Sequence, residues 1–108
     1  ASMLQSAFAS ANTDMQARAL AEARVDAQAL VDALTTALKV DRALLSESEW
    51  EALTAQVVHL KLLTTANDHR VVVRATEALN NASTEFAGRR MDRAVREALT
   101  GRDISKIV

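Results

Sequence analysis

"LSESEW", residues 45–50, decides how the chain folds. Ser46 followed by Glu49 is a capping-box pattern: the serine hydroxyl accepts from the backbone N–H three residues on, and the glutamate carboxylate accepts from the serine's own N–H. Leu45 and Trp50 occupy the two positions of a hydrophobic staple around that cap. Glu47 and Glu49 place negative charge against the positive end of a helix dipole. A helix therefore starts after Ser46. Upstream of it, Leu20, Ala23, Ala27, Leu30, Leu34 and Ala37 step by three and four, a continuous apolar seam. Downstream, Trp50, Leu53, Val57 and Leu60 repeat the step. The chain reads as all-α.

Composition agrees. In 108 residues there is no proline, and glycine occurs only at Gly88 and Gly101, while alanine, leucine, arginine and glutamate fill about half of the rest. One small domain is the expectation at this length. Cysteine is absent, which excludes disulfides, thiolate metal sites and cysteine nucleophiles. A net charge of −1 gives no long-range field favouring nucleic acid or an anionic membrane. No apolar run approaches the roughly 20 residues of a membrane span, and the opening residues do not read as a signal peptide. The chain opens on Ala1 rather than methionine, the expectation for a piece of a longer protein.

Further punctuation divides the helical stretches. "TDMQ", residues 13–16, also fits the capping box and predicts a helix restarting at Asp14, after an amphipathic stretch with Leu4, Phe8 and Ala11 on one face. "TTANDH", residues 64–69, breaks the second seam, with Asn67 or Asp68 able to cap the next helix. Val72, Ala75, Leu79, Ala82 and Phe86 form a third seam, expected to rotate near Gly88 and continue through Met91, Val95 and Leu99. One bent helix, or two separated near residues 80–83, fits that seam equally. "VVV" at 71–73 is read as helix, because a lone strand has nothing to pair with. Gly101 fits a C-terminal cap, leaving residues 102–108 as a tail.

Helix lengths then pose a mismatch. A helix from residue 14 to about 41 spans roughly 42 Å, against roughly 30 Å for the one after Ser46. Antiparallel neighbours with short loops match in length. The expected architecture is an N-terminal helical arm, residues 1–29, running into a small antiparallel bundle, residues 30–101. The arm carries an apolar stripe its own bundle is too short to bury, which calls for a partner surface.

Residues 83–99, "STEFAGRRMDRAVREAL", hold four arginines within eight positions. Glu85 with Arg89, Asp92 with Arg96, and Arg93 with Glu97 are i, i+4 pairs, so this face reads as self-neutralised and solvated. Contact with an acidic protein is the alternative; a nucleic-acid surface would show unpaired cations among stacking aromatics. His59 and His69 lack metal-ligand spacing, and Glu47, Glu49 and Glu51 are explained by the helix start. Neither a metal site nor an active site is expected, and Trp50 reads as staple and core. The chain is not expected to be an enzyme.

"FAGRRMD", residues 86–92, resembles the "FAARRMD" segment near the C-terminus of the HscA family, the iron–sulfur-assembly branch of the seventy-kilodalton heat-shock (DnaK-like) chaperones. "ASM" at the start, "QARALAEARVDA" at 16–27, "ALLS" at 43–46 and "VREALTG" at 95–101 agree in order and spacing. The resemblance covers essentially the whole chain; "HLKLLTTANDHRVVV", residues 59–73, departs from it.

The resemblance implies a lid. In such chaperones a short helix and the first part of a long one lie over a β-sandwich that holds an extended peptide, and the rest of the long helix joins a bundle. The ATP-binding domain and the sandwich would precede Ala1, so no cofactor is expected in this chain and ATP belongs to the full-length protein. Leu4, Phe8 and Met15, with Leu20, are the expected apolar docking residues. By alignment the latch falls near Gln28 and Asp32, where the general branch carries an acid and a histidine. Closure would slow peptide release, and ATP would shift the population towards an open lid. The implied partners are the chain's own sandwich and bound peptide and, through the full-length protein, the scaffold IscU and the J-type cochaperone HscB, in the bacterial cytoplasm. No nucleic acid or membrane is expected. The rival reading is a free-standing interaction module that self-associates through its arm.

Overall fold

The computed structural model describes the backbone of residues 2–107 and the side chains of residues 11–100. Four α-helices follow one another: α1 (Ser2–Val40), α2 (Glu47–Leu63), α3 (His69–Ala82) and α4 (Thr84–Ile107), with a single 3-10 turn, Arg42–Leu44, between α1 and α2. No strand occurs among the described residues.

The cap at Ser46 forms as its sequence requires. The Glu49 N–H donates to the Ser46 hydroxyl at 3.2 Å, and the Ser46 N–H donates to Glu49 Oε1 at 2.9 Å. Leu45 and Trp50 pack, partly buried, against the core. α3 takes its cap from Asp68, whose Oδ1 accepts from the Arg70 N–H at 3.0 Å. That backbone bond, and next the Arg70 side chain, hold the Asp68 carboxyl below its ordinary range. Val71 to Val73 are helical: Val72 is fully buried while its two neighbours face outward.

α1, α2 and α3 pack on one another in up-down-up order. The Arg24 guanidinium donates to the Ala66 carbonyl at 3.0 Å, fixing the α2–α3 loop beside the first core turn of α1. At the other end the Trp50 indole N–H donates to the Leu38 carbonyl at 3.3 Å. Between these ties lie Ala23, Ala27, Val31, Leu34, Ala37 and Leu38 of α1, Leu53, Val57 and Leu60 of α2, and Val72 and Leu79 of α3. The alanines let helix backbones approach closely; Phe86 of α4, 2% exposed, closes the end. Each fully buried large side chain contributes about 1.5–3 kcal/mol from apolar burial.

Several expectations are corrected. The helix does not restart at Asp14: α1 runs unbroken through residues 13–16. A capping box ends a preceding helix only where that helix has reason to stop, and the alanine-rich stretch before Thr13 holds no glycine or proline. Of the two readings left open for the third seam, the structure takes the second: two helices, separated at Ser83, whose hydroxyl donates to the Asn80 carbonyl at 3.1 Å. Its continuation is not core. Met91, Val95 and Leu99 are 69%, 51% and 52% exposed, and Ala82 is exposed too. α4 passes the end of α1 and runs on where no other described element lies beside it. Gly101 does not terminate the helix, which continues to Ile107 where a tail was expected. One glycine costs about 1 kcal/mol in a helix interior, too little to stop it alone.

The two long helices give the molecule extents of 79 × 33 × 16 Å. Among the described side chains of α1 the first buried one is Ala23, inside the stretch assigned to the arm from helix lengths, and residues 11–18 are exposed throughout. The arm extends beyond the bundle.

Candidate docking surface

Three surfaces bear on function: the arm, the outer side of α1 where it meets α2, and the arginine-rich start of α4. On the arm, Met15 is 69% exposed. Leu20 is partly buried against the core, so the bundle already shelters part of it. Leu4 and Phe8 lie outside the residues whose side chains are described. Val25, which the apolar seam did not single out, is also 69% exposed. The structure thus brings Leu20 to the bundle and leaves Met15 exposed.

Gln28 and Asp32 stand one turn apart on the exposed side of α1, and the Gln28 amide donates to Asp32 Oδ1 at 2.9 Å. This bond fixes the carboxylate while leaving its second oxygen for another donor. Both residues line a groove of 560 Å³ between α1 and α2. Val31, Leu38, Trp50 and Val57 form its floor, and Lys39, Arg42 and Lys61 stand at its rim. The Arg42 guanidinium lies 4.1 Å from the centroid of the Trp50 ring, a cation–π contact.

The arginines of α4 are not simply a solvated face. Arg89 donates to the Leu44 carbonyl at 2.9 Å, to both Glu49 oxygens at 3.1 and 2.9 Å, and to Glu85 at 3.0 Å. Arg90 and Arg93 reach the two oxygens of Asp41 at 2.8 and 3.2 Å, and Arg93 also binds Glu97. Two of the expected i, i+4 pairs therefore form, while Asp92 with Arg96 is not among the ion pairs of the described residues. The Arg89 guanidinium, followed by the Ser46 N–H and hydroxyl, pulls the Glu49 carboxyl down from 4.5 to about 2. Glu49 and then Glu85 push the Arg89 guanidinium upward. Glu49 closes the cap of α2 and anchors α4 at once. Asp41, whose side chain is only 13% exposed, was not singled out in the sequence, because its partners lie 49 and 52 residues away.

His59 is exposed and His69 half-buried, and no group of three His, Cys, Asp or Glu side chains able to hold a metal occurs among the described residues. No described helix is long and apolar enough to cross a membrane.

No family model matches the chain. Curated relatives do, from end to end. Over 107 residues, 99% of this chain, it is 47% identical to a chaperone protein HscA homolog of Ralstonia nicotianae. Over the same length it is 45% identical to the HscA homolog of Burkholderia pseudomallei and 44% to that of Cupriavidus pinatubonensis. This chain belongs to the HscA chaperone family. It spans 17% of the length of those relatives, at their C-terminal end. The region is thus the C-terminal helical part of a DnaK-like chaperone. The HscA resemblance seen in "FAGRRMD" falls on the segment that anchors α4, where Phe86 closes the core and Arg89 and Arg90 reach the α1–α2 connection.

Proposed function

We propose that this chain is the lid of an HscA-type substrate-binding domain, gating peptide release during iron–sulfur cluster assembly. The observation that carries the reading is the arm: α1 extends beyond its own bundle with residues 11–18 exposed. A helix of 39 residues is roughly 58 Å long, and among the described side chains those packed in the bundle lie from Leu20 onward. An exposed apolar side chain such as Met15 on a projecting helix is stabilised when another surface covers it.

In this reading the arm lies on the β-sandwich of the full-length chaperone, with Leu4, Phe8 and Met15 docked and Leu20 bridging arm and bundle. The Gln28–Asp32 pair is the latch. Its carboxylate, held by the Gln28 amide, offers an oxygen to a donor on a sandwich loop, a role the acid–histidine pair fills in the general branch. Closure covers bound peptide and lowers its dissociation rate. ATP, bound in the separate nucleotide-binding domain, favours the open state by binding it more tightly. IscU is the client and HscB the cochaperone, acting through the full-length cytoplasmic protein; this chain contributes no catalytic group.

The test is peptide release from the full-length chaperone with and without residues 1–108, in the ADP state. Faster release from the truncated protein is expected; equal rates would defeat the gate. The rival reading, self-association through the arm, predicts concentration-dependent dimers of residues 1–108 in sedimentation that Met15→Glu abolishes.

A further inference from the structure

α1 and α2 make two grooves where they lie side by side. α3 fills one. The other, on the opposite side, is the open 560 Å³ groove floored by Val31, Leu38, Trp50 and Val57. Its chemistry is lopsided. Val58 on its wall is 51% exposed, an apolar residue at a position where water would favour a polar one. The Thr54 hydroxyl, on the same wall, is buried with no hydrogen-bond partner. Lys39, Arg42 and Lys61 surround the groove and form no ion pair among the described residues, whereas Asp32 is the one acid lining it. The α4 arginines Arg89, Arg90 and Arg93, by contrast, all have carboxylate partners. The molecule neutralises one cationic cluster and leaves the other open beside an apolar trough.

From this juxtaposition we propose that the α1–α2 groove is a docking site for an acidic amphipathic helix of a partner protein. From Trp50 to Lys61 the groove follows roughly 16 Å of α2, about three helical turns. That length accommodates apolar anchors at i, i+4 and i+7 of an incoming helix, in the helix-in-groove mode. Carboxylates flanking those anchors meet Lys39 and Arg42 on the α1 side and Lys61 on the α2 side. The added helix lies against α1 and α2 opposite α3, completing a four-helix arrangement. The Thr54 hydroxyl is placed to bond a polar group the helix carries in. The site runs along the bundle with the Gln28–Asp32 pair on its α1 wall, and its occupation can be read on residues 1–108 alone, without the sandwich.

Trp50 is the only tryptophan and lies in the groove, so its emission reports occupancy directly. The probe is a synthetic amphipathic peptide with leucines at i, i+4 and i+7 and glutamates on both flanks, titrated into residues 1–108. Expected is a saturable blue shift of Trp50, weakened about tenfold by the double variant Lys39→Glu/Lys61→Glu and lost in Val58→Glu, with the helical circular dichroism of both variants unchanged. The lysine-flanked twin of the peptide should give no shift. An unchanged Trp50 emission, an equal response to both peptides, or full affinity in the charge-reversed variant would overturn the proposal. So would an equal shift from vesicles of anionic phospholipid, which would reassign the groove to a membrane surface. None of these outcomes bears on peptide release, so the lid reading stands or falls separately.

Discussion

Replacing Phe86 and Met91 by alanine, one at a time, separates what the chain buries from what it merely patterns. Both residues lie on the same apolar stripe in the sequence. In the structure Phe86 is 2% exposed beneath the first turn of α4, while Met91 is 69% exposed. Truncating a buried phenylalanine removes its transfer free energy and leaves a cavity, about 3–5 kcal/mol together. Truncating a side chain as exposed as Met91 costs about 0.5 kcal/mol or less. At about 2.1 cal/mol/K per residue, 108 residues give an unfolding entropy of about 0.23 kcal/mol/K. Phe86→Ala should therefore lower Tm by about 13–22 °C and Met91→Ala by about 2 °C or less. Thermal melts followed by helical circular dichroism give the Tm shifts and urea melts followed by Trp50 emission give the free energies, and Phe86→Leu, losing less volume, should fall between the two variants. Similar losses at the two positions would mean that α4 folds back onto the bundle and that the architecture described is wrong.

Other outcomes follow from the same contacts. Ser46→Ala should cost about 1 kcal/mol in the same melts, because the Glu49 N–H loses its acceptor. Asp41→Asn should cost about 1–2 kcal/mol and raise hydrogen exchange at residues 89–96, since Arg90 and Arg93 lose their shared carboxylate. The Glu49 carboxyl is depressed from 4.5 to about 2 in the folded chain. Its contribution is therefore fully present above pH 4.5 and lost as pH falls from there towards 2. Glu49→Gln should flatten the stability profile across that window, and an unchanged acid slope would remove Glu49 from the anchor of α4.

What the sequence made legible was local. The cap at Ser46 and the three- and four-residue steps of Leu53, Val57 and Leu60 need only neighbours within a turn or two, and each reads correctly. The same locality misled at Thr13, where a capping-box pattern sits inside an uninterrupted α1. It misled again at Met91, Val95 and Leu99, because a stripe records that a face is apolar and not whether anything lies opposite it. The arginines show the limit most clearly. Their i, i+4 acids are visible in sequence, but the partners that fix α4, Asp41 and Glu49, are 40 to 52 residues upstream and come into reach only once α1, α2 and α3 have packed. The Gln28–Asp32 hydrogen bond is an i, i+4 pair that helix spacing allows but that the sequence reading did not draw.

The central claim is that the projecting arm is built to be covered. The chain holds no cysteine, so Met15→Cys places one thiol on the arm. Alkylation at residue 15, read by mass spectrometry of the peptide containing it, should be fast in residues 1–108 alone. It should be slowed at least tenfold in the full-length chaperone with peptide bound and restored by ATP. Equal labelling rates in all three states would contradict the account.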